Sequence, residues 1–293
     1  IFRAPVNNLF NSMFPGTPQF SLATFNLIYN SLYTLVLLPF LDPLVKLVTR
    51  LVKDKKDELE ELTYIDERFL VTPSVAIEQS LKELYDMTLL AKDNIDRAFT
   101  SLINEDLSER KKIDDIEHRI DFLTNKLTSF FIKISSVNKS PDDEKLIAGL
   151  HHVTNDVERL GDYALLIARE TSYMKKNEIK FTDQAKAELE LIYNKIVELF
   201  DLGFDAFSKR RTDNFLRISE LHQEIRALIY STRDEHVVRL SSGLFPVELS
   251  KSTYSVLFSM QRIADHIVNV AFSIRSTTGS KKEALRTIES EDI

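Results

Sequence analysis

The scarcity of helix-breaking residues constrains this chain more than any other feature. Its 293 residues contain only six Gly and eight Pro, whereas Leu, Ile, Lys, Glu, Asp and Ala are abundant. Because Gly and Pro are the residues that most often interrupt helices, this composition favours long helices over a sheet-rich fold. We therefore predict an all-α protein.

From Pro73 onward the sequence has the apolar spacing of amphipathic helices, with a few interruptions. The predicted interruptions are Asn104–Ser108, Ser140–Pro141, Lys176–Thr182, Arg210–Asn214 and Gly243–Pro246. They leave about six helices of roughly twenty residues or more, arranged as two tandem three-helix bundles, residues 73–176 and 182–277. Thr182 or Asp183 and Ser108 are suited to cap helix N-termini. Residues 278–293 are polar and are predicted to form a flexible tail.

A separate apolar segment precedes the bundles. No residue between Arg3 and Asp42 is charged, and Phe20–Leu41 is dominated by Phe, Leu, Ile, Val and Tyr. About 20 such residues are enough to cross a bilayer, although a buried helix of a soluble protein is the alternative. A signal peptide fits less well, because charged sequence follows directly. We predict that residues 1–53 are the end of a transmembrane domain plus an interfacial helix after Pro43, and that 54–72 are a linker.

Basic residues after the apolar segment predict its orientation. Lys46, Arg50 and Lys53 follow it, and basic flanks tend to remain in the cytoplasm. Residues from about 54 onward are therefore expected inside the cell. Within the segment, Asn26 and Asn30 share a helix face and would need hydrogen-bond partners in hydrocarbon. Either helix packing or a hydrated transport path could supply those partners.

The charge distribution and the absence of Cys exclude several kinds of site. Residues 1–53 carry a net charge of +3, so the rest of the chain carries -10. Such an acidic body is a poor nucleic-acid surface, because phosphate backbones are bound mainly through Lys and Arg. The chain has no Cys, so thiolate metal sites, disulfides and a cysteine nucleophile are excluded.

An acidic pattern recurs in the two halves of the predicted helical region. Glu158-Arg159-Leu160-Gly161-Asp162 is followed 103 residues later by Gln261-Arg262-Ile263-Ala264-Asp265. At the same offset, Glu117 and Asp121 align with Glu220 and Glu224. We interpret this recurrence as an internal duplication. Arg159 and Arg262 are expected to pair with neighbouring acids rather than to bind phosphate. Gly161 and Ala264 predict either a close approach by another backbone or a ligand, or tight helix packing alone.

Carboxylates at i and i+4 lie on one helix face and repel each other by roughly 0.2–0.5 kcal/mol. Because this unfavourable arrangement occurs in both halves of the helical region, it suggests a cation that offsets the repulsion. Two facing helices could gather four carboxylates around hard cations such as magnesium, manganese, calcium or iron. A solvated acidic face is the alternative. The predicted metal ligands are Glu117, Asp121, Glu158 and Asp162 in the first bundle and Glu220, Glu224 and Asp265 in the second, where Gln261 replaces an acid.

The stretch from Asn155 to Ala164 resembles the most recognisable motif of the PhoU family, and Gln261–His266 resembles its second copy. The similarity covers roughly residues 73–277. It implies two similar three-helix bundles, metal clusters of iron, zinc or related ions at the bundle surface, and a role in regulating phosphate uptake and signalling. A regulatory protein partner and a homo-oligomer are both compatible with this resemblance.

The segment Phe25–Asn30 and the later Leu38-Pro39-Phe40 look like the last transmembrane stretch of bacterial sodium/phosphate cotransporters, many of which carry a PhoU-like tail. This resemblance implies a multi-pass inner-membrane protein that moves inorganic phosphate with sodium as the coupling ion. Most of its transport site would lie in sequence that precedes this chain, which we expect to be a fragment.

We predict no enzymatic activity. No Glu-x-x-His element of a carboxylate-bridged iron enzyme occurs, nor does a phosphate-binding glycine loop or a G-x-S-x-G elbow. The leading hypothesis is a phosphate transporter with a regulatory helical domain. The alternatives are a membrane-anchored phosphate-signalling regulator and a helical adaptor whose acids serve only solubility.

Overall fold

The computed structural model describes residues 18–41, 43, 62–137, 140–241 and 247–273. All regular secondary structure in these residues is helical, which confirms the all-α prediction. The chain divides into two compact units, Ile1–Glu58 and Leu59–Ile293. The predicted interfacial helix after Pro43, the first part of the predicted linker and the tail 278–293 lie outside the described residues.

In the first unit, helix α1 spans Pro18–Leu37 and is followed by a 3₁₀ turn at Leu38–Phe40. The 18 residues Ala23–Phe40 have a mean hydropathy of 1.2 and none is buried. Among the described helices, α1 is the one with the length and composition of a membrane span. Asn26 and Asn30 are both on α1, and their role in packing or transport stays a prediction.

The second unit contains six long helices. They are α2 (Pro73–Asn104), α3 (Arg110–Ser136), α4 (Pro141–Lys176), α5 (Asp183–Lys209), α6 (Phe215–Ser241) and α7 (Val247–Phe272). The sequence breaks therefore predicted the helix ends closely. The Thr182 side chain accepts a hydrogen bond from the Ala185 N–H and caps α5, as predicted. The Ser108 prediction was wrong, because Glu109 occupies the cap position of α3 without a side-chain cap bond.

Helices α2, α3 and α4 pack against one another as a first bundle, and α5, α6 and α7 form a second. The third helices of the two bundles, α4 and α7, also pack against each other, and α2 contacts α5. The core consists of buried Leu, Ile, Val, Phe, Met and Ala side chains from all six helices. Burial of these apolar faces drives the assembly of helices that are individually only marginally stable.

The buried side chains show that the two halves match at two different offsets. Third helices match at 103 residues, as in Val157 and Met260 or Leu160 and Ile263. Second helices match at 105, with Ile113, Ile116 and Ile120 equivalent to Ile218, Leu221 and Ile225. The link between the second and third helices is therefore two residues shorter in the second half.

The difference between the two offsets changes which residues of the second half correspond to the acids of α3. The uniform offset predicted that Glu220 and Glu224 are the counterparts of Glu117 and Asp121. In the structure, the buried pattern makes His222 the counterpart of Glu117 and Arg226 the counterpart of Asp121. Because a shift of two residues turns a helix by about 200°, the predicted acids face a different neighbour.

The last part of the predicted linker belongs to the helical unit. Residues 62–72 precede α2 and contain a 3₁₀ helix, Glu67–Val71, that contacts both α2 and α3. Asp66 begins this 3₁₀ helix by accepting a hydrogen bond from the Arg68 N–H. The boundary of the helical unit thus lies before residue 62 rather than at Pro73.

Candidate functional site

The first bundle brings together the four acids that the sequence predicts there. Glu117 and Asp121 lie on α3, whereas Glu158 and Asp162 lie on α4. The two helices approach closely at Gly161, where a Cβ atom would lie 3.1 Å from Cδ1 of Ile120. The approaching atoms belong to a side chain, so the structure supports the alternative of tight helix packing at Gly161. We call these four acids the α3–α4 carboxylate cluster.

The pKa values of the cluster show that acids on α3 and α4 interact across the contact between the two helices. Burial raises the pKa of Glu117, and the charges of Asp121 and Asp162 raise it further. Burial also raises the pKa of Asp121, to which the charge of Asp162 adds. The pKa of Glu158 is raised by burial first and then by Asp162 and Asp121. Mutual repulsion therefore acts within each helix and between α3 and α4.

Nearby cations offset only part of this repulsion. Nη1 of Arg159 lies 3.0 Å from Oδ2 of Asp162, and its Nε lies 3.6 Å from Oε2 of Glu158. The expectation that Arg159 pairs with neighbouring acids is thus confirmed. Its side chain is 56% exposed, so solvent screens these pairs. His118 and Arg169 lower the pKa of Glu117, but burial and the neighbouring acids outweigh them.

The donor atoms of the cluster suit a hard cation. Its carboxylate oxygens are the ligands that magnesium, manganese or calcium prefer. Within the described residues, however, no group of three or more His, Cys, Asp or Glu side chains is placed closely enough to hold a metal ion. The cluster therefore fits a metal by donor type, while its side chains as they stand do not close a coordination shell.

The second bundle arranges its acids differently. Oε2 of Glu224 lies 2.5 Å from Nζ of Lys195 on α5, and its Oε1 lies 2.9 Å from Nη1 of Arg217. Hydrogen bonds from Lys195 and then Arg217 lower the pKa of Glu224. Glu220 lies 3.9 Å from Arg217 through its Oε2 atom. Neither acid is brought to Asp265, so the predicted second set of ligands does not converge.

Asp265 is paired with bases. Its Oδ1 lies 2.8 Å from Nε2 of His222, and its Oδ2 lies 3.3 Å from Nη1 of Arg262. The Arg262 pairing confirms the sequence expectation. His222 takes the place that Glu117 has in the first bundle, and the 105-residue spacing of apolar side chains would have revealed this equivalence. A histidine and an arginine around one carboxylate do not fit a hard-cation site.

Sequence reasoning also missed a polar contact between the bundles. Oδ1 of Asp156 on α4 lies 2.8 Å from Nδ1 of His266 on α7 and 3.2 Å from Nδ2 of Asn269. The His266 ring stacks on Tyr163, with centroids 5.7 Å apart, and Arg262 donates a hydrogen bond to the Tyr163 hydroxyl. We call these contacts the α4–α7 seam. They pair residues more than 90 positions apart, which no local pattern identifies.

Comparison with known proteins identifies the fold. Residues 84–171 match the model of the PhoU domain family. The crystal structure of PhoU from Pseudomonas aeruginosa superposes with a TM-score of 0.64 at 19% identity, covering 68% of this chain and 95% of that one. The PhoU regulatory protein of the phosphate transport system from Streptococcus pneumoniae also gives 0.64, at 15% identity, covering 71% and 98%. The helical unit therefore has a PhoU-like fold.

Sequence relatives are of two kinds. The phosphate-specific transport system accessory protein PhoU homolog 1 of Thermotoga maritima is 24% identical over 209 residues, which is 70% of this chain and 88% of that protein. The "Putative inorganic phosphate export protein YjbB" of Escherichia coli K12 is 20% identical over 260 residues, covering 85% of this chain but 47% of that protein. The chain thus spans about half the length of YjbB. The PhoU resemblance is confirmed, whereas the cotransporter resemblance stays a prediction.

Proposed function

We propose that this chain is part of a membrane phosphate transporter in which the PhoU-like unit regulates phosphate movement. One observation carries this proposal: a PhoU-like helical unit follows, in the same chain, a helix with the length and composition of a membrane span. The similarity to YjbB supports it, because that alignment covers 260 residues and thus extends beyond the 84–171 match to the PhoU domain.

Inorganic phosphate is the proposed substrate of the complete protein, and sodium is the proposed coupling ion. The sequence resemblance suggests uptake, whereas the name of YjbB suggests export. Sodium coupling and transport direction are separate properties, and one flux measurement can address both. The proposed location is the inner membrane, with several spans in the complete protein and the PhoU-like unit on the cytoplasmic side.

The α3–α4 carboxylate cluster is the proposed regulatory cation site. Glu117, Asp121 and Glu158 have raised pKa values, so a cation would relieve an unfavourable charge there. Small rotations of partly exposed carboxylates are cheap compared with the repulsion that a divalent or trivalent ion removes. The site belongs to the first bundle alone, since Lys195 and Arg217 already neutralise Glu224 in the second.

Metal analysis of the purified chain tests the site. The double substitution Glu158→Ala with Asp162→Ala should reduce bound iron, manganese, zinc or magnesium at least about tenfold, because half of the ligand set is lost. The matched control is Glu190→Ala with Asp234→Ala, which removes one exposed glutamate and one exposed aspartate from the second bundle and changes the net charge equally. Equal metal content in both variants would reject the cation site.

Phosphate flux tests the transporter. The complete reading frame, expressed in cells that lack their own phosphate transporters, should move radiolabelled phosphate, and replacing sodium by choline should slow that movement. The double substitution in the cluster should alter the rate more than the Glu190/Asp234 control does. Absence of flux above the empty-vector level would reject the transporter assignment.

A membrane-anchored phosphate-signalling regulator without transport activity is the second candidate. The observation that favours it is that this chain covers 88% of a PhoU homolog that is named as an accessory protein. This candidate predicts no flux, but a change in the activity of a separate phosphate transport system when the chain is removed. The two candidates therefore differ in the phosphate flux that each predicts.

A further inference from the structure

The residues just before α2 are held by a buried carboxylate. Residues 62–71, which we call the strap, begin beside Glu83 of α2. Oε2 of Glu83 accepts hydrogen bonds from the Thr63 N–H at 3.1 Å and from the Tyr64 N–H at 2.8 Å. The Glu83 residue is only 1% exposed. The strap thus supplies backbone donors to an acid that water barely reaches.

This arrangement ties the charge of Glu83 to the position of the strap. Burying a carboxylate is unfavourable unless hydrogen bonds replace its lost hydration. Bonds from backbone amides to a charged acceptor are stronger than bonds between neutral groups. If the strap left α2, Glu83 would lose both amides. The docked strap is therefore the state that this acid requires.

Further contacts hold the strap to two helices. The Tyr64 side chain lies beside Asp86 of α2, whose charge is the main cause that raises the pKa of Tyr64. Glu67 of the strap forms an ion pair with Lys133 near the end of α3. Apolar strap residues pack against the core, namely Leu62, Ile65, Phe69 and Leu70.

The strap contacts both α2 and α3. It is anchored to α2 through Glu83, and its 3₁₀ helix packs against both α2 and α3, so a displacement of α3 relative to α2 would alter that packing. The exposed Glu67–Lys133 pair adds little to this anchoring. Two acids of the carboxylate cluster lie on the same helix as Lys133. Asp121 and Lys133 are twelve residues apart, roughly 18 Å along the axis of α3. A rigid helix can transmit a small shift over this distance.

We infer that the strap is the output element of the helical unit: it converts a shift of α3 into a change in its own docking on α2. This inference rests on the proposed regulatory function, because it needs a signal that moves α3. The docking of the strap depends only on the contacts described above. The docking and the output role can therefore be disproved independently of each other.

Hydrogen exchange of the whole chain tests the docking. Glu83→Gln keeps the shape of the side chain but removes its charge and one acceptor oxygen, so the Thr63 and Tyr64 amides should exchange at least about tenfold faster. The control is Glu78→Gln, an exposed acid on the same helix, which should leave both amides protected. Tyr64→Phe gives a milder second variant that removes only the hydroxyl beside Asp86. Unprotected amides in the unsubstituted chain, or unchanged protection in Glu83→Gln, would overturn the inference.

Phosphate flux through the complete protein tests the output role. In a Glu83→Gln background, the cluster substitutions should no longer change the phosphate flux. Glu83→Gln alone should leave the metal content at the unsubstituted level. A Glu83→Gln protein that loosens the strap yet keeps the full flux response would overturn the output role. If no variant moves phosphate, the proposed function fails, whereas the exchange result still decides whether the strap is docked.

Discussion

Glu158 of the first bundle and Glu224 of the second differ in pKa because their neighbours differ. Glu158 is surrounded by Asp162 and Asp121, and its pKa is raised by burial and by both acids. Glu224 receives hydrogen bonds from Lys195 and Arg217, and its pKa is lowered. The same side chain is therefore unfavourable when ionised in the first bundle and favourable in the second.

This contrast predicts opposite effects of removing each charge. In chelator-treated protein at pH 7, Glu158→Gln should raise the free energy of unfolding by about 0.5 kcal/mol, because it removes repulsion between acids. A carboxyl with a raised folded-state pKa destabilises the fold once it ionises, so the gain should fade as pH falls toward the ordinary glutamate pKa near ~4. Urea unfolding at pH 7 and at about pH 4 measures this difference.

Glu224→Gln is the matched comparison. Since the folded-state pKa of Glu224 is lowered, its ionised form stabilises the fold above the ordinary glutamate pKa, and this contribution is lost as pH falls through the folded value. The substitution should therefore reduce the free energy of unfolding at pH 7 and have little effect at low pH. A stabilising effect of equal size in both variants would contradict these assigned environments.

Helices are the scale at which the sequence was most informative. Pro141, the capping Thr182 and the apolar spacing located the helices because those signals act within a few residues. The uniform 103-residue offset failed for α6, since a link shortened by two residues changes which side chains face a neighbour. Matching the buried apolar residues Ile113 and Ile218 would have corrected this offset from the sequence alone.

Close packing of α3 and α4 gives a prediction for Gly161. Gly161→Leu should lower the free energy of unfolding by about 2–3 kcal/mol, because its side chain would overlap Ile120. Gly161→Ala should change it by less than about 1 kcal/mol, since the helix propensity gained offsets the tight contact. Ala148→Leu, on the exposed side of the same helix, is the control and should stay within about 0.5 kcal/mol. Equal unfolding midpoints for both leucine variants would contradict close packing at Gly161.

At the scale of the whole helical unit, the α4–α7 seam joins the two bundles through a few polar groups. Asp156 accepts from Asn269 and pairs with His266, which is only 8% exposed. No sequence pattern predicted this contact, because it joins residues that only the packing of two bundles brings together. The fold was accessible from local periodicity, but the way the bundles meet was not.

The α4–α7 seam predicts that the helical unit becomes less stable when the acceptor carboxylate of Asp156 is removed. Asp156→Ala should lower the free energy of unfolding by about 1–3 kcal/mol, because the buried His266 loses its partner. Asn155→Ala, at the adjacent exposed position, should change it by no more than about 0.5 kcal/mol. Denaturant unfolding followed by circular dichroism measures both. If the two variants unfold at the same denaturant concentration, the seam does not stabilise the unit.

The most direct test of the whole account is phosphate flux through the purified complete protein in proteoliposomes. We predict measurable movement of phosphate, and a rate that changes when bound metal is removed or when Glu158 and Asp162 are both replaced by Ala. The Glu190/Asp234 control should behave like the unsubstituted protein. Phosphate movement that is absent, or that is identical in all three proteins with and without metal, would contradict a transporter regulated by its PhoU-like unit.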